Sequence, residues 1–364
     1  MCIRDRLYTV YNPDGTVDPF LSCRGILMTK ESAGNTEILF ANPNPGDYGA
    51  IDRWSIPRSV PGAGSYGVTQ SLVDAFFMEN GLSPILGYEN NDYSKPIINP
   101  ASGYTETGFS TEPEVRNTGW QECQGNVNPG QVTMAGAYNM YCHREARFYI
   151  AVLYNRAWFS KTAEGGRQTM FLKGEQDGGI SMDAPRNGYL QNKLAHPDRD
   201  NVNVTFPYRP AVNYRLAEAY LNYAEALNEC DPGNPDIMKY VNLIRVRAGI
   251  PEYGTGAGMI TEPQGQEEVR QSIYKERRVE LCCESSIRYM DIRRLKIGEE
   301  ILNRDFYGMN YFGSKLSDDK NDPDAYFVRT RYQTRSFQKK NYWFPVPQSE
   351  MDINPNLVQN PFWK

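Results

Sequence analysis

The sequence predicts a mostly α-helical fold: helical hairpins that carry long ordered loops and a few short strands. Three observations predict it. Residues 214–229 read YRLAEAYLNYAEALNE and place Leu216, Tyr220, Tyr223, Ala224 and Leu227 on one helical stripe. A breaker cluster, Asp231, Pro232, Gly233, Asn234 and Pro235, then turns the chain into a second amphipathic segment. Between Gly87 and Cys142, by contrast, neither a helical nor a strand period is sustained, although rings, amides and glycines are frequent.

Taken in order, residues 1–35 are turn-rich and form a poorly defined N-terminal segment, with NPDG at 12–15 as a turn. TEILFA at 36–41 reads as a short buried strand. A Gly/Pro/Asn loop containing Trp54, Arg58 and Tyr66 follows. SLVDAFFMEN at 71–80 predicts a helix with Leu72, Val73, Phe76 and Phe77 inward and Gly81 as its stop. RFYIAVLYN at 147–155 predicts a strand from its β-branched and aromatic content. Residues 183–210 read as loop. The second helix of the hairpin starts at Asp236, turns Ile237, Tyr240, Val241 and Ile244 inward, and ends at Ala248, because Gly249 supplies a left-handed cap and Pro251 cannot continue the turn. Residues 273–296 are helical in propensity and dense in charge. The domain reading is 36–364 as one domain: a loop-rich part at 36–210, a helical core at 211–300 and an extended part at 301–364.

Composition excludes several function classes. The chain has 364 residues and a formal net charge of −5, and no basic cluster stands clear of acidic neighbours, so a phosphate-tracking nucleic-acid surface is not expected. No run of about eighteen apolar residues exists to span a membrane as a helix. The seven cysteines are odd in number and irregular in spacing, so no disulfide framework is implied; Cys123 and Cys142 are close enough in sequence to pair across a loop, and adjacent Cys282 and Cys283 are placed on different sides of a helix. The 25 Tyr, 15 Phe and 5 Trp either build a large core or face a ligand with a flat apolar side and hydroxyls, which describes a sugar.

The chemical constellations are few. Glu276, Glu280 and Glu284 are spaced four apart, on one helix face. A glycosidase needs one carboxyl with a raised pKa. Arg277, Arg278, Arg288, Arg293 and Arg294 surround these three in sequence, and positive neighbours lower such values, so a charge network locking helices together is the expected role. His143 and His196 lie in no metal motif, and no Cys-x-x-Cys pair exists. The acidic turn at 317–324 matches no calcium loop and reads as solvated. No motif calls for a metal or a cofactor. Trp120, in NTGWQEC, lies among polar neighbours: it either plugs its loop onto the scaffold or offers its face to a ligand.

YRLAEAYLNYAEALNE (214–229), LIRVRAGIP (243–251), ERRVELCCE (276–284) and RYMDIRRLK (288–296), in this order, resemble the SusD/RagB family. YWFPVPQSEMDINPNLVQNPFW (342–363) resembles its C-terminal signature, and fainter similarity lies in LVDAFFMENG and REARFYIAVLYNRAWF. The chain departs from the family at ESSIR (284–288), which is one residue longer than the usual Glu-Gly-x-Arg and lacks the glycine. The extra residue is expected to sit as a helix bulge. MCIRDR carries no apolar leader, and Cys2 therefore does not read as a lipid acceptor, so the sequence is expected to be the larger C-terminal part of such a protein, with an apolar face left where earlier helices would pack.

The resemblance implies a scaffold of tetratricopeptide-like helical pairs with loops built on one side. It also implies non-catalytic binding of an oligosaccharide or polysaccharide at the extracellular face of the outer membrane, beside a SusC-like TonB-dependent transporter, with membrane association only through a lipid anchor. A helical glycoside hydrolase and a helical-repeat protein-binding scaffold are the alternatives. The expected binding surface is the irregular stretch 104–141: Trp120 as platform, Tyr104, Tyr138 and Tyr141 as further rings, and Arg116 and Asn126 as hydrogen-bonding partners.

Overall fold

The computed structural model describes residues 6–42, 48–121, 130–159, 167–200, 203, 205, 207–284 and 286–363. Among them the α-helices are, in chain order, α1 (Pro19–Gly25), α2 (Tyr48–Ser55), α3 (Gln70–Val73), α4 (Ala146–Ala151), α5 (Leu216–Cys230), α6 (Pro235–Arg247), α7 (Gly265–Glu280), α8 (Ile287–Arg294), α9 (Gly298–Leu302) and α10 (Gln348–Ile353). Strands occur as two-stranded antiparallel ribbons. Helix outweighs strand, and the fold is mostly α with long loops, as the sequence predicts.

The hairpin forms where its pattern places it. Asn234 caps α6 by accepting from the Asp236 amide at 3.0 Å, Pro235 occupies the first turn, and Gly249 leaves the helix at φ 72°. The buried seam of α5 is Ala217, Leu221, Ala224 and Asn228. Small side chains there let α6 and α7 approach closely, and Ile237, Val241, Ile244, Val269 and Ile273 fill the space. Tyr223, expected inward, points out, and its ring meets Tyr240 edge-on at 5.2 Å.

A second, larger core is aromatic. Phe76, Tyr141, Phe148, Tyr154, Tyr189, Tyr326 and Phe327 pack from segments spread over most of the chain. The strand Ile38–Asn42, foreseen in TEILFA, pairs with Ala211–Arg215 at the entry to α5. Near the C-terminus, Asp305–Gly308 pairs with Thr330–Thr334. Arg329 ties this ribbon back to the loops through Asp74 and Glu106, each at 2.6 Å.

Four local expectations are corrected. The helix at 71–80 stops after Val73, because the carbonyls of Val73 and Phe76 accept from Nη2 of buried Arg144, at 2.5 and 2.8 Å, and the Phe77 amide donates to Glu145. Residues 147–151 are helical, and only Val152–Leu153 is strand; Arg147 fixes α4 through carboxylates on α7, which overrides its strand propensity. α7 ends at Glu280 and α8 begins at Ile287, with Cys283 and Ser286 both at positive φ, so ESSIR opens in the break between two helices and not as a bulge within one. Cys282 and Cys283 accordingly follow the end of α7 and do not share a helix.

Between the two cores lies a sealed layer of charge. Arg215 donates to Glu37 at 2.6 Å, to Glu280 at 2.7 Å and to Glu284 at 2.8 Å. Arg147 reaches Glu276 at 2.6 Å and Glu280 at 3.0 Å; Arg247 reaches Glu37 at 2.7 Å and also Glu280; Lys193 reaches Glu284 at 2.6 Å. All of these side chains are buried. The layer joins α4 of the aromatic core to α6 of the hairpin and to α7. Its cations are not the arginines adjacent to these glutamates in sequence: Arg277, for instance, pairs with Asp291 on the other side of α7.

Candidate functional site

The rings expected to face a ligand are in the core. Trp120 is 7% exposed and stacks on Phe20, with centroids 5.3 Å apart and planes 28° from parallel. Tyr138 stacks on Phe327 at 4.3 Å. Tyr141 is fully enclosed against Tyr154 and shares a hydroxyl contact with Tyr189 at 3.2 Å. Tyr104 is buried and donates to Glu106 at 2.7 Å. Burial raises the hydroxyl pKa of all three tyrosines. Arg116 is spent on Glu114 at 2.6 Å, Glu79 at 2.6 Å and the Arg144 carbonyl at 3.2 Å. Asn126 and Cys123 lie outside the described residues. The expected platform is therefore corrected. An irregular stretch can still feed a core, because a buried ring compensates for the missing periodicity by filling volume between segments.

Arg116 also decides the reading of its neighbours. Glu79, Glu114 and His143 bring donor atoms within 4.8 Å of one another. The guanidinium already occupies this carboxylate pair and would repel a metal ion, so the cluster reads as an ion-pair knot at the protein surface.

Glu280 and Glu284 are not tuned as acid catalysts. Burial alone would raise the pKa of Glu280, but Arg247, Arg215 and Arg147 together hold it well below the usual carboxylate range. Glu284 is lowered in the same way by Arg215 and Lys193. A glycosidic general acid requires a shift in the opposite direction.

A different pair of rings is presented outward. Trp54, in the last turn of α2, is 41% exposed, and Tyr66 is 38% exposed; they meet edge to face at 5.1 Å and 72°. The backbone fixes them. The amides of Ser65 and Tyr66 both donate to the Trp54 carbonyl at 2.9 Å, and the Ala63 amide donates to the Arg53 carbonyl at 2.7 Å, so the loop folds back on the helix end. The Tyr66 carbonyl then accepts from the Gln191 amide at 2.8 Å, and the Gln191 side chain reaches Ser55. Asp52 and Ser55 anchor the opposite face of α2 in the protein.

The residues on either side of Tyr66, Ser65 and Gly67, line a cleft of about 350 Å³. Its other walls include Arg186, Asn187, Gln333 and Arg335. Asn187 is held by donating to the Val68 carbonyl at 2.7 Å, and Arg335 donates to Gln333 at 3.0 Å with its guanidinium 4.0 Å from the Phe306 ring centre. Half-exposed rings beside amide and guanidinium donors can stack on the apolar face of a sugar and hydrogen-bond its hydroxyls. Sequence reasoning passed over Trp54 and Tyr66. The feature that singled out Trp120, a ring among polar neighbours, applies equally to DRWS and GSYG. It does not separate a ring that plugs a loop from one that is presented.

Comparison with known proteins agrees with this architecture. SusD-like protein P2 of Formosa agariphila is 33% identical over 146 residues, which is 40% of this chain and 24% of that protein. The crystal structure of a SusD-like protein from Bacteroides fragilis is 26% identical and matches with a TM-score of 0.65 over 95% of this chain and 57% of its own length. A second structure from that species, a SusD-like carbohydrate binding protein, shares the fold at 20% identity, with a TM-score of 0.65 and coverage of 95% and 58%. The chain thus spans less than three fifths of these solved relatives. A model of the SusD family matches residues 32–363, nearly the whole chain, and the chain belongs to the SusD family.

Proposed function

We propose that this chain supplies the oligosaccharide-binding loops of a non-catalytic glycan-capture protein at the outer face of the outer membrane. Its ligand passes to a SusC-like TonB-dependent transporter, and a lipid anchor holds the protein at the membrane. Among the described residues no helix is long and apolar enough to cross a membrane. Family membership supports the ligand class, as does the carbohydrate-binding description of one structural relative. The observation that carries the placement is the outward Trp54–Tyr66 pair beside a cleft of amide and guanidinium donors.

Calorimetry of the purified chain against a panel of oligosaccharides tests this. At least one should bind, and Trp54→Ala should weaken it by about 2 kcal/mol, the scale of an aromatic anchor. Full affinity in Trp54→Ala and Tyr66→Ala would place the site elsewhere. Product formation from any bound oligosaccharide would overturn the non-catalytic reading. Co-purification of the full-length protein with a TonB-dependent transporter tests the partner.

A further inference from the structure

We propose that the cleft beside Trp54 and Tyr66 selects an anionic glycan, one bearing uronate carboxylates or sulfate esters; this rests on the reading of that cleft as the glycan site. The argument is one of charge that the protein itself leaves uncompensated. Arg186 and Arg335 both line the cleft, and no Asp or Glu lines it. Both arginines are exposed. Among the described residues neither lies within 4.0 Å of a carboxylate, including that of Asp183, the acid nearest to Arg186 in sequence.

Arginines close by behave differently. Arg329 is clamped by Asp74 and Glu106, and Arg331 lies 3.3 Å from Asp305. Arg335, two residues beyond Gln333, is instead held without an acid: its Nε donates to Gln333, its face packs on Phe306, and its two terminal nitrogens donate to no described residue. A guanidinium positioned in this way has its bidentate donor pair free for a planar carboxylate or a sulfate oxygen edge. The chain as a whole is acidic, with a net charge of −5, so a cleft walled by two unpaired cations runs against the overall field. A neutral sugar can accept single hydrogen bonds from these guanidiniums but not the bidentate, charge-assisted pairing that an anionic group takes.

The test compares three size-matched oligosaccharides, neutral, uronate-containing and sulfated, binding to the purified chain at about 50 and about 500 mM NaCl, where screening lengths differ several-fold. At low salt an anionic ligand should bind roughly tenfold tighter than the neutral one, the effect of one charge-assisted hydrogen bond, and the advantage should shrink at high salt. Arg186→Gln with Arg335→Gln should weaken anionic binding more than neutral binding and so remove the advantage; both positions are exposed, so the variant is expected to fold, and circular dichroism checks that it does. Carboxyl-reduced and desulfated versions of the ligand identify which anionic group is read. Equal affinity for neutral and anionic ligands, or unchanged anionic affinity in the double variant, would overturn the proposal while leaving the ring site standing. Anionic binding that survives Trp54→Ala would instead remove the ring site, and with it the ground of the proposal. Absence of binding to all three ligands would overturn both.

Discussion

The indole of Trp120 lies against the ring of Phe20, 100 residues earlier in the chain, with centroids 5.3 Å apart and planes 28° from parallel. This contact fastens the loop at 118–120 to α1, and Asp18, the cap of α1, accepts from the Thr118 hydroxyl at 2.7 Å and from the Gly119 amide at 2.8 Å. Trp120→Ala should therefore cost about 3–5 kcal/mol of stability, the usual cost of truncating a core Trp. Denaturant unfolding measures it. Glycan affinity of the fraction that remains folded should match the parent.

Glu280 shows the same dependence for charge. It faces Arg147, Arg215 and Arg247 inside the protein. Glu280→Gln should lower stability by about 3–5 kcal/mol, because three cations lose a buried counter-charge. Glu229→Gln, which removes a solvent-exposed partner of Arg270, should barely move the melting curve. Neither Glu280→Gln nor Glu284→Gln should alter any turnover of oligosaccharide, and none is expected from the parent.

The pH dependence follows from opposed shifts. Glu280 and Glu284 have folded-state values below the ordinary carboxylate value. Their contribution to stability is therefore complete above the unfolded value, about 4.3, and is lost as pH falls through the folded values. Glu145 is shifted the other way: burial outweighs the attraction of Arg147, so its charge costs stability at neutral pH and that cost fades as it protonates. Burial holds the His196 imidazole down to about 4, so stability also drains as the unfolded histidine protonates below about 6.5. Tm should therefore begin to fall below about pH 6.5, with the Glu145 gain offsetting part of the loss, and fall steeply below about 4. A calorimetric pH series checks this, and a Tm that stays level to below about pH 3 would contradict it.

Arg144 explains why part of the fold was hard to read in the sequence. It is fully buried and donates to the carbonyls of Met140, Val73 and Phe76. Nothing in SLVDAFFMEN announces that an arginine some seventy residues later will take its helical acceptors. The α5–α6 hairpin was legible because its signals are local: an apolar period, an Asn–Pro start and a Gly stop. The site was not. Whether a ring such as Trp54 or Trp120 ends outside or inside depends on which segments arrive over it: Phe20 covers Trp120, whereas Gln191 bonds Ser55 and the Tyr66 carbonyl and leaves the Trp54 ring exposed. The buried glutamates were placed in the right role with the wrong partners, because charge adjacent in sequence points around the helix whereas the true cations come from α4, α6, the strand Ala211–Arg215 and the loop that carries Lys193. Arg144→Met should leave the Val73 and Phe76 carbonyls without donors, at about 1–3 kcal/mol for each orphaned group. Equilibrium unfolding should show the loss, and hydrogen exchange should report it first at Phe77 and Met78.

Gly67 offers a way to alter the cleft without touching its rings. A Cβ at this position would fall 2.5 Å from Asn187 Nδ2 and 2.6 Å from Oδ1. The Asn187 amide cannot swing away freely, because it donates to the Val68 carbonyl at 2.7 Å and accepts from the Tyr189 amide at 3.3 Å. Gly67→Ala should thus push Asn187 off the Val68 carbonyl, costing about 1–3 kcal/mol for the buried acceptor left unpaired. Ser65, Gly67 and Asn187 all wall the cleft, so glycan affinity should fall as well, by roughly tenfold for one lost polar contact, while the Trp54–Tyr66 pair stays in place. Intrinsic fluorescence of Trp54 in the unliganded variant, with the other four tryptophans replaced by Phe where folding allows, separates the two effects. An unchanged emission with weakened binding locates the damage in the polar wall. A shifted emission would mean that the rings moved too, and that Gly67 sets the geometry of the whole site.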